Sequence, residues 1–215
     1  MIGAPIHRGQ NGGTGSTLAT ASFTPAAGSL ILAPWGRRWN VGAPAASVIA
    51  DSTARAWTPL AFSPASADNG SLYVRIGLSW AIATGAPMIV TASQASGAKT
   101  GFHVTEIPRA FAGIANFDSG DDAAGDPIAA MATPGGASIS YAFGVFCGAN
   151  AVSPPTGFTE LHELLSNVDL VTQSSWKSVA TDTAAWTTAN NSVSLGAILE
   201  IRPAGRTRAV GLWFS

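Results

Sequence analysis

Charge is scarce in this 215-residue sequence: Asp, Glu, Lys and Arg together make up 11% of it, against about 25% in ordinary soluble domains. The eleven basic and twelve acidic residues are scattered and leave a net charge of −1, so no footprint for a phosphate backbone exists and nucleic acid is not an expected partner. Cysteine is almost absent. Cys147 stands alone, which excludes an intrachain disulfide and a multi-cysteine metal site, and its apolar setting predicts a small core residue. Long hydrophobic runs are missing as well: none approaches the ~18 residues of a membrane span. The first residues, with Pro5, His7, Arg8 and several glycines, lack the apolar region of a secretion signal. These absences predict a chain made and kept soluble in the cytoplasm.

Small residues fill the place of the missing charge. Apolar residues reach 47%, and Ala, Gly, Ser and Thr tolerate close burial against another protein, so the composition favours an assembled state. A chain of this length can remove roughly 70–75% of its unfolded surface from water, enough for a core without metal or disulfide.

The clearest periodicity lies at Leu72, Val74, Ile76, Leu78, Trp80 and Ile82, which alternate with Tyr73, Arg75, Gly77, Ser79 and Ala81. Only a strand puts that apolar set on one face. The same period recurs at Ile139, Tyr141, Phe143, Val145 and Cys147, and at Leu195, Ala197, Leu199 and Ile201. Ala21–Pro25 and Ser29–Trp35 read as the first two strands. Weaker runs lie at Val48–Ala50, Ala56–Phe62, Met88–Ser93, Phe102–Ile107, Gly157–Glu163 and Leu170–Val179. Phe158–Leu165 fits a strand or a short helix. About ten to twelve short strands, punctuated by 24 Gly and 13 Pro, predict an all-β fold: an antiparallel β-sandwich, jelly-roll-like. Residues 1–17 read as an N-terminal arm, 18–203 as the sandwich domain, and 204–215 as a C-terminal docking tail.

Motifs that carry chemistry are not found. Asp118, Asp121, Asp122 and Asp126 miss the spacing of a calcium loop, and Gly97-Ala98-Lys99-Thr100 lacks the glycines of a phosphate loop. His7, His103 and His162 sit in no nucleophile turn and read as surface or structural residues. Glu106, Glu160, Glu163 and Glu200 could supply a carboxylate pair only at a separation that sequence does not reveal. No catalytic residue, metal or cofactor is therefore expected. Of seven tryptophans, Trp57, Trp80 and Trp176 read as core. Trp35 and Trp39, flanked by Gly36, Arg37, Arg38 and Asn40 in a loop-like setting, are candidates for contact with a ligand or partner, with a place in the core as the alternative. Leu212, Trp213 and Phe214 in the tail are candidate partner-binding residues, docking on a neighbouring subunit or folding back over their own sandwich.

Several segments together resemble small β-sandwich structural proteins of bacteriophages, prophages and gene transfer agents. They are Ser22-Phe23-Thr24-Pro25 with Gly28-Ser29-Leu30, Ala56-Trp57-Thr58-Pro59-Leu60, Pro155-Thr156-Gly157-Phe158-Thr159-Glu160-Leu161, and Ala197-Ile198-Leu199-Glu200-Ile201-Arg202-Pro203. The resemblance implies a non-enzymatic virion subunit: a tail or head fibre, spike or decoration protein, often trimeric, with other virion proteins as partners. Its ends, 1–17 and 205–215, lie outside that pattern. The alternative expectation is a carbohydrate-binding module at a fibre tip, recognising host-surface glycan through Trp35 and Trp39.

Overall fold

Residues two apart on a strand share a face, and a strand covered on both sides must therefore be apolar or small throughout. The long strands of this protein divide along that line. The computed structural model describes residues 2–94, 97–108, 111–122 (backbone alone for 111–113), 126–148, 152–166, 169–188 and 193–203. All its described regular elements are strands. The first half holds β1 (Ile6–Gly13), β2 (Thr17–Ala19), β3 (Leu30–Trp39), β4 (Val48–Asp51), β5 (Thr58–Pro59), β6 (Ser66–Asp68), β7 (Tyr73–Ile82), β8 (Val90–Ser93) and β9 (Lys99–Ile107). The second holds β10 (Phe111–Asp122), β11 (Ile128–Ala130), β12 (Ile139–Cys147), β13 (Val152–Ser153), β14 (Thr159–Leu165), β15 (Leu170–Lys177), β16 (Thr183–Ala185), β17 (Thr187–Thr188) and β18 (Ser194–Pro203).

Each half builds one large sheet faced by smaller ones. In the first, a large sheet ordered β1-β9-β3-β7-β5, with β6 also on β7, faces a small sheet ordered β2-β8-β4. The chain crosses between the two at every step from β1 to β5 and again from β7 to β9, which is jelly-roll connectivity. In the second half the large sheet runs β10-β18-β12-β15-β14, faced by the pairs β11-β16 and β13-β17. The two large sheets then pack on each other, so the molecule is a stack of four layers with three cores.

The middle core takes one face of each large sheet: Leu30 and Leu32 of β3, Val74, Ile76 and Leu78 of β7, then Tyr141, Phe143 and Val145 of β12 with Leu195, Leu199 and Ile201 of β18. The alternating sets seen in the sequence are this core; only Ile82, at the end of β7, emerges into solvent. The opposite faces form the outer cores. Ile31, Ala33 and Trp35 meet Leu18, Ile49 and Val90 of the first small sheet, and Ala142, Phe146 and Ile198 meet Ala129, Ala184 and Trp186 in the second half. Burial on both faces of β3, β9, β12 and β18 explains much of the low charge, because these strands have no solvent side on which to carry it.

The halves are copies of one plan. Leu30 pairs with Ile107 across β3 and β9 as Ile139 pairs with Ile201 across β12 and β18. Thr58 pairs with Trp80 as Thr159 pairs with Trp176. Equivalent faces point into the middle core, β1 lies against β14, and β10 lies against β6, so the halves are related by an approximate two-fold rotation. Weak sequence echoes accompany it: Thr24-Pro25-Ala26-Ala27-Gly28-Ser29-Leu30 matches Thr133-Pro134-Gly135-Gly136-Ala137-Ser138-Ile139, and Trp57-Thr58-Pro59-Leu60 matches Phe158-Thr159-Glu160-Leu161.

Some expectations change. Most of the presumed arm is β1, paired with β9 from Ile6↔Glu106 to Gly13↔Thr100. It carries no apolar alternation because it is an edge strand with neither face fully covered. Ala21–Pro25 is not a strand; Phe23 alone makes an isolated bridge to Met88. Phe158–Leu165 is strand β14 from Thr159 onward, not helix. The tail residues Leu212, Trp213 and Phe214 lie outside the described residues.

Candidate functional site

The duplicated plan repeats one polar device. Glu106, on β9, has a fully buried side chain whose Oε1 accepts from the Ser29 hydroxyl at 2.7 Å and the Ala26 amide at 2.9 Å, while Arg8 on β1 pairs with Oε2. Glu200, on β18, does the same with the Ser138 hydroxyl at 2.8 Å and the Gly135 amide at 2.9 Å, and Asn116 on β10 occupies its second oxygen. Burial alone would raise both carboxyls; the hydroxyl, amide and cationic donors hold them below their ordinary value. Each glutamate ties the turn before the central strand to the edge strand. Committed to these bonds and lodged in separate halves, they are latches rather than a catalytic pair.

The three histidines, distant in sequence, meet where β1 lies against β14. The rings of His7 and His162 stack with centroids 4.3 Å apart, and His103 stands edge-on to them at 6.1 and 5.8 Å. His103 is fully buried between Thr172 Oγ1, 2.8 Å from Nε2, and Ser174 Oγ, 3.1 Å from Nδ1. Burial, reinforced by His162, lowers the His7 pKa to about 4; burial lowers His162 and, well below its usual value, His103. No group of three or more His, Cys, Asp or Glu among the described residues is placed to hold a metal ion. At the opposite seam the positions are apolar. Phe117, which pairs with Leu199 as His7 pairs with Thr105, packs edge-on to Phe62 at 5.7 Å.

The two candidate tryptophans part company. Trp35 lies within β3, only 4% exposed, inside the outer core of the first half, and is no loop residue. The strand continues through Gly36 because that position passes under Val145, leaving no room for a side chain: a Cβ there would lie 2.4 Å from Val145 Cγ2. Trp39, at the end of β3, is half-buried and lines an open cleft of 330 Å³ with Arg38, Asn40, Val41, Gly97, Lys99 and Asp169. Its six-membered ring rests on Gly97, whose φ of +99° and close approach both exclude a Cβ. Asp169, immediately before β15, accepts from Arg38 at 2.9 Å and from Lys99 on the same oxygen. The Lys99 hydrogen bond, followed by both cations' charge, holds its carboxyl below the usual range.

Other singled-out residues have structural places. Cys147 is buried in the middle core, its thiol pushed up to about 12 by burial. Asp118, Asp121 and Asp122 lie along β10 rather than in a loop, and Asp126 accepts from the Thr188 amide and hydroxyl. Glu160 and Glu163, both on β14, accept from Gln173 Nε2 at 3.1 Å and the Val152 amide at 2.9 Å. Trp80 and Trp176 are partly buried against the middle core. Trp57 packs against an outer one while its Nε1 donates to Asp51. Trp186 is a fully buried tryptophan that sequence reading left unplaced. No family model, no curated protein and no solved structure matches the chain.

Proposed function

We propose that the protein is a structural subunit of a bacteriophage-type particle, assembling through the outer faces of its small sheets. The observation that carries this reading is the chemistry of those faces. The outward residues are Thr17, Ala19, Val48, Ala50, Thr91 and Ser93 at one end of the stack, and Ile128, Ala130, Thr183 and Ala185 at the other. None is charged, and Val48 and Ile128 are 66% and 58% exposed. Double-sided burial accounts for the uncharged inner sheets but not for these outer ones, which face water in a single copy. Faces depleted of charge, with apolar residues at their centre, are suited to protein contact. Jelly rolls are also a recurrent architecture of virus capsids and lectins, an analogy of fold alone.

The test is assembly. Light scattering and electron microscopy of the purified protein, and of particles from its source, should show a higher-order species that Val48→Glu and Ile128→Glu dissociate while the thermal melt is unchanged. A wild-type chain that stays a single copy at every concentration and enters no particle overturns the reading.

A further inference from the structure

The cleft at Trp39 has a makeup that neither packing nor assembly uses. It joins an aromatic ring held at fixed depth by Gly97, an exposed amide from Asn40, and three charged groups that converge from both halves of the chain. Arg38 and Lys99 share one carboxylate, Asp169, so the group carries one net positive charge. The Asp169 side chain stays 39% exposed, and the Arg38 and Lys99 side chains are 12% and 26% exposed, so the ion pair opens to the cleft rather than being sealed in the core.

We infer that this cleft binds a saccharide bearing a carboxylate, a uronic or sialic acid unit, in one copy per chain. Sugar rings present a face of C–H groups to an aromatic side chain, and their hydroxyls bridge carboxylate and amide groups such as Asp169 and Asn40. The excess cation selects for the acidic sugar, since a carboxylate approaching Arg38 and Lys99 finds a guanidinium fork and an ammonium with only one counter-charge between them. A phosphate dianion is less well matched, because Asp169 stands beside both cations found among the described residues of the cleft. The volume lies at the lower end of ligand clefts, suited to a short segment of a chain whose remainder runs over the surface past Val41, which is 80% exposed.

Titration calorimetry of the full-length protein with a uronic-acid oligosaccharide, a sialylated one and a neutral one tests this. Binding of at least one acidic probe is expected, weakening with added salt, with the neutral probe weaker. Trp39→Ala should reduce affinity by roughly tenfold, Lys99→Gln should remove the salt dependence, and Trp39→Phe should retain most of the binding. The melt and the assembly state of each variant are recorded in parallel, so failure here is separate from failure of the structural-subunit reading. Binding to none of the probes overturns the inference, as does equal preference for the neutral sugar or Trp39→Ala binding like wild type in a folded state.

Discussion

Glu106 and Glu200 show how much a single buried residue organises. Each satisfies a turn amide, a serine hydroxyl and a group on the neighbouring edge strand. Ser29→Ala and Ser138→Ala should therefore cost similar amounts, roughly 1.5–3 kcal/mol each for a hydrogen bond to a charged group, readable by urea denaturation. A cost confined to one half would mean that the two latches are not equivalent. Neither was legible as a latch beforehand: a glutamate within an apolar strand looks like a catalytic candidate, and its partners lie up to 98 residues away. Trp35 and Trp39 border the same Gly36, Arg37 and Arg38, yet the first is buried in an outer core and the second lines an open cleft. Glycine and arginine resemble loop residues, and only the neighbouring sheet reveals that Gly36 is a point of close approach within a strand.

At the scale of elements, strands with one face in the middle core announced themselves by alternation, whereas β1 and β10 did not. Edge strands meet water along part of their length, so β1 can carry Gly, Asn and Gln and β10 can carry three aspartates without breaking a pattern. The seam of β1 against β14 gives a pH prediction. The histidines there have folded pKa values below their unfolded value of about 6.5, so the unfolded chain binds more protons below that point. Their contribution to stability is complete at neutral pH and falls as pH drops from about 6.5 toward 4. The charge that acts on this seam is Glu163 on β14, which draws the His162 pKa upward, while the Arg8–Glu106 pair lies on the opposite face of its sheet. The two latches add to the loss below about 4.5, where the unfolded chain's glutamates take up protons while the depressed folded carboxyls are still ionised. Thermal melts from pH 7.5 to 4.5 should show Tm decreasing with acid, with a shallower slope in His7→Phe, which copies the Phe117 seam. An identical slope in that variant would remove His7 from the account.

For the molecule as a whole, duplication was the largest feature that the sequence hid. The repeated segments share turn residues and a hydrophobic pattern but few identities, and the register between them changes from strand to strand. The all-β sandwich itself was legible, because alternation specifies a buried face whatever its partner; what packs on that face is not encoded in the period. Residues 2–108 alone would expose Leu30, Leu32, Val74, Ile76 and Leu78, a face that needs its counterpart. That fragment should be insoluble or pair with itself, and co-expression with residues 109–215 should restore a soluble complex, measured by size-exclusion chromatography. A soluble, folded, single-copy fragment would show that the middle core is dispensable.

Covalent fusion of two similar rolls has one further effect. In a true homodimer any surface change appears twice, and the two ends of the particle stay interchangeable. Here Trp39 is contributed by one roll and Asp169 by the other, and Gly148 stands at the position equivalent to Trp39, so the two rolls are not interchangeable. A row of such molecules joined end to end has a front and a back, and polarity of that kind is what a filament or shell needs to tell its inside from its outside.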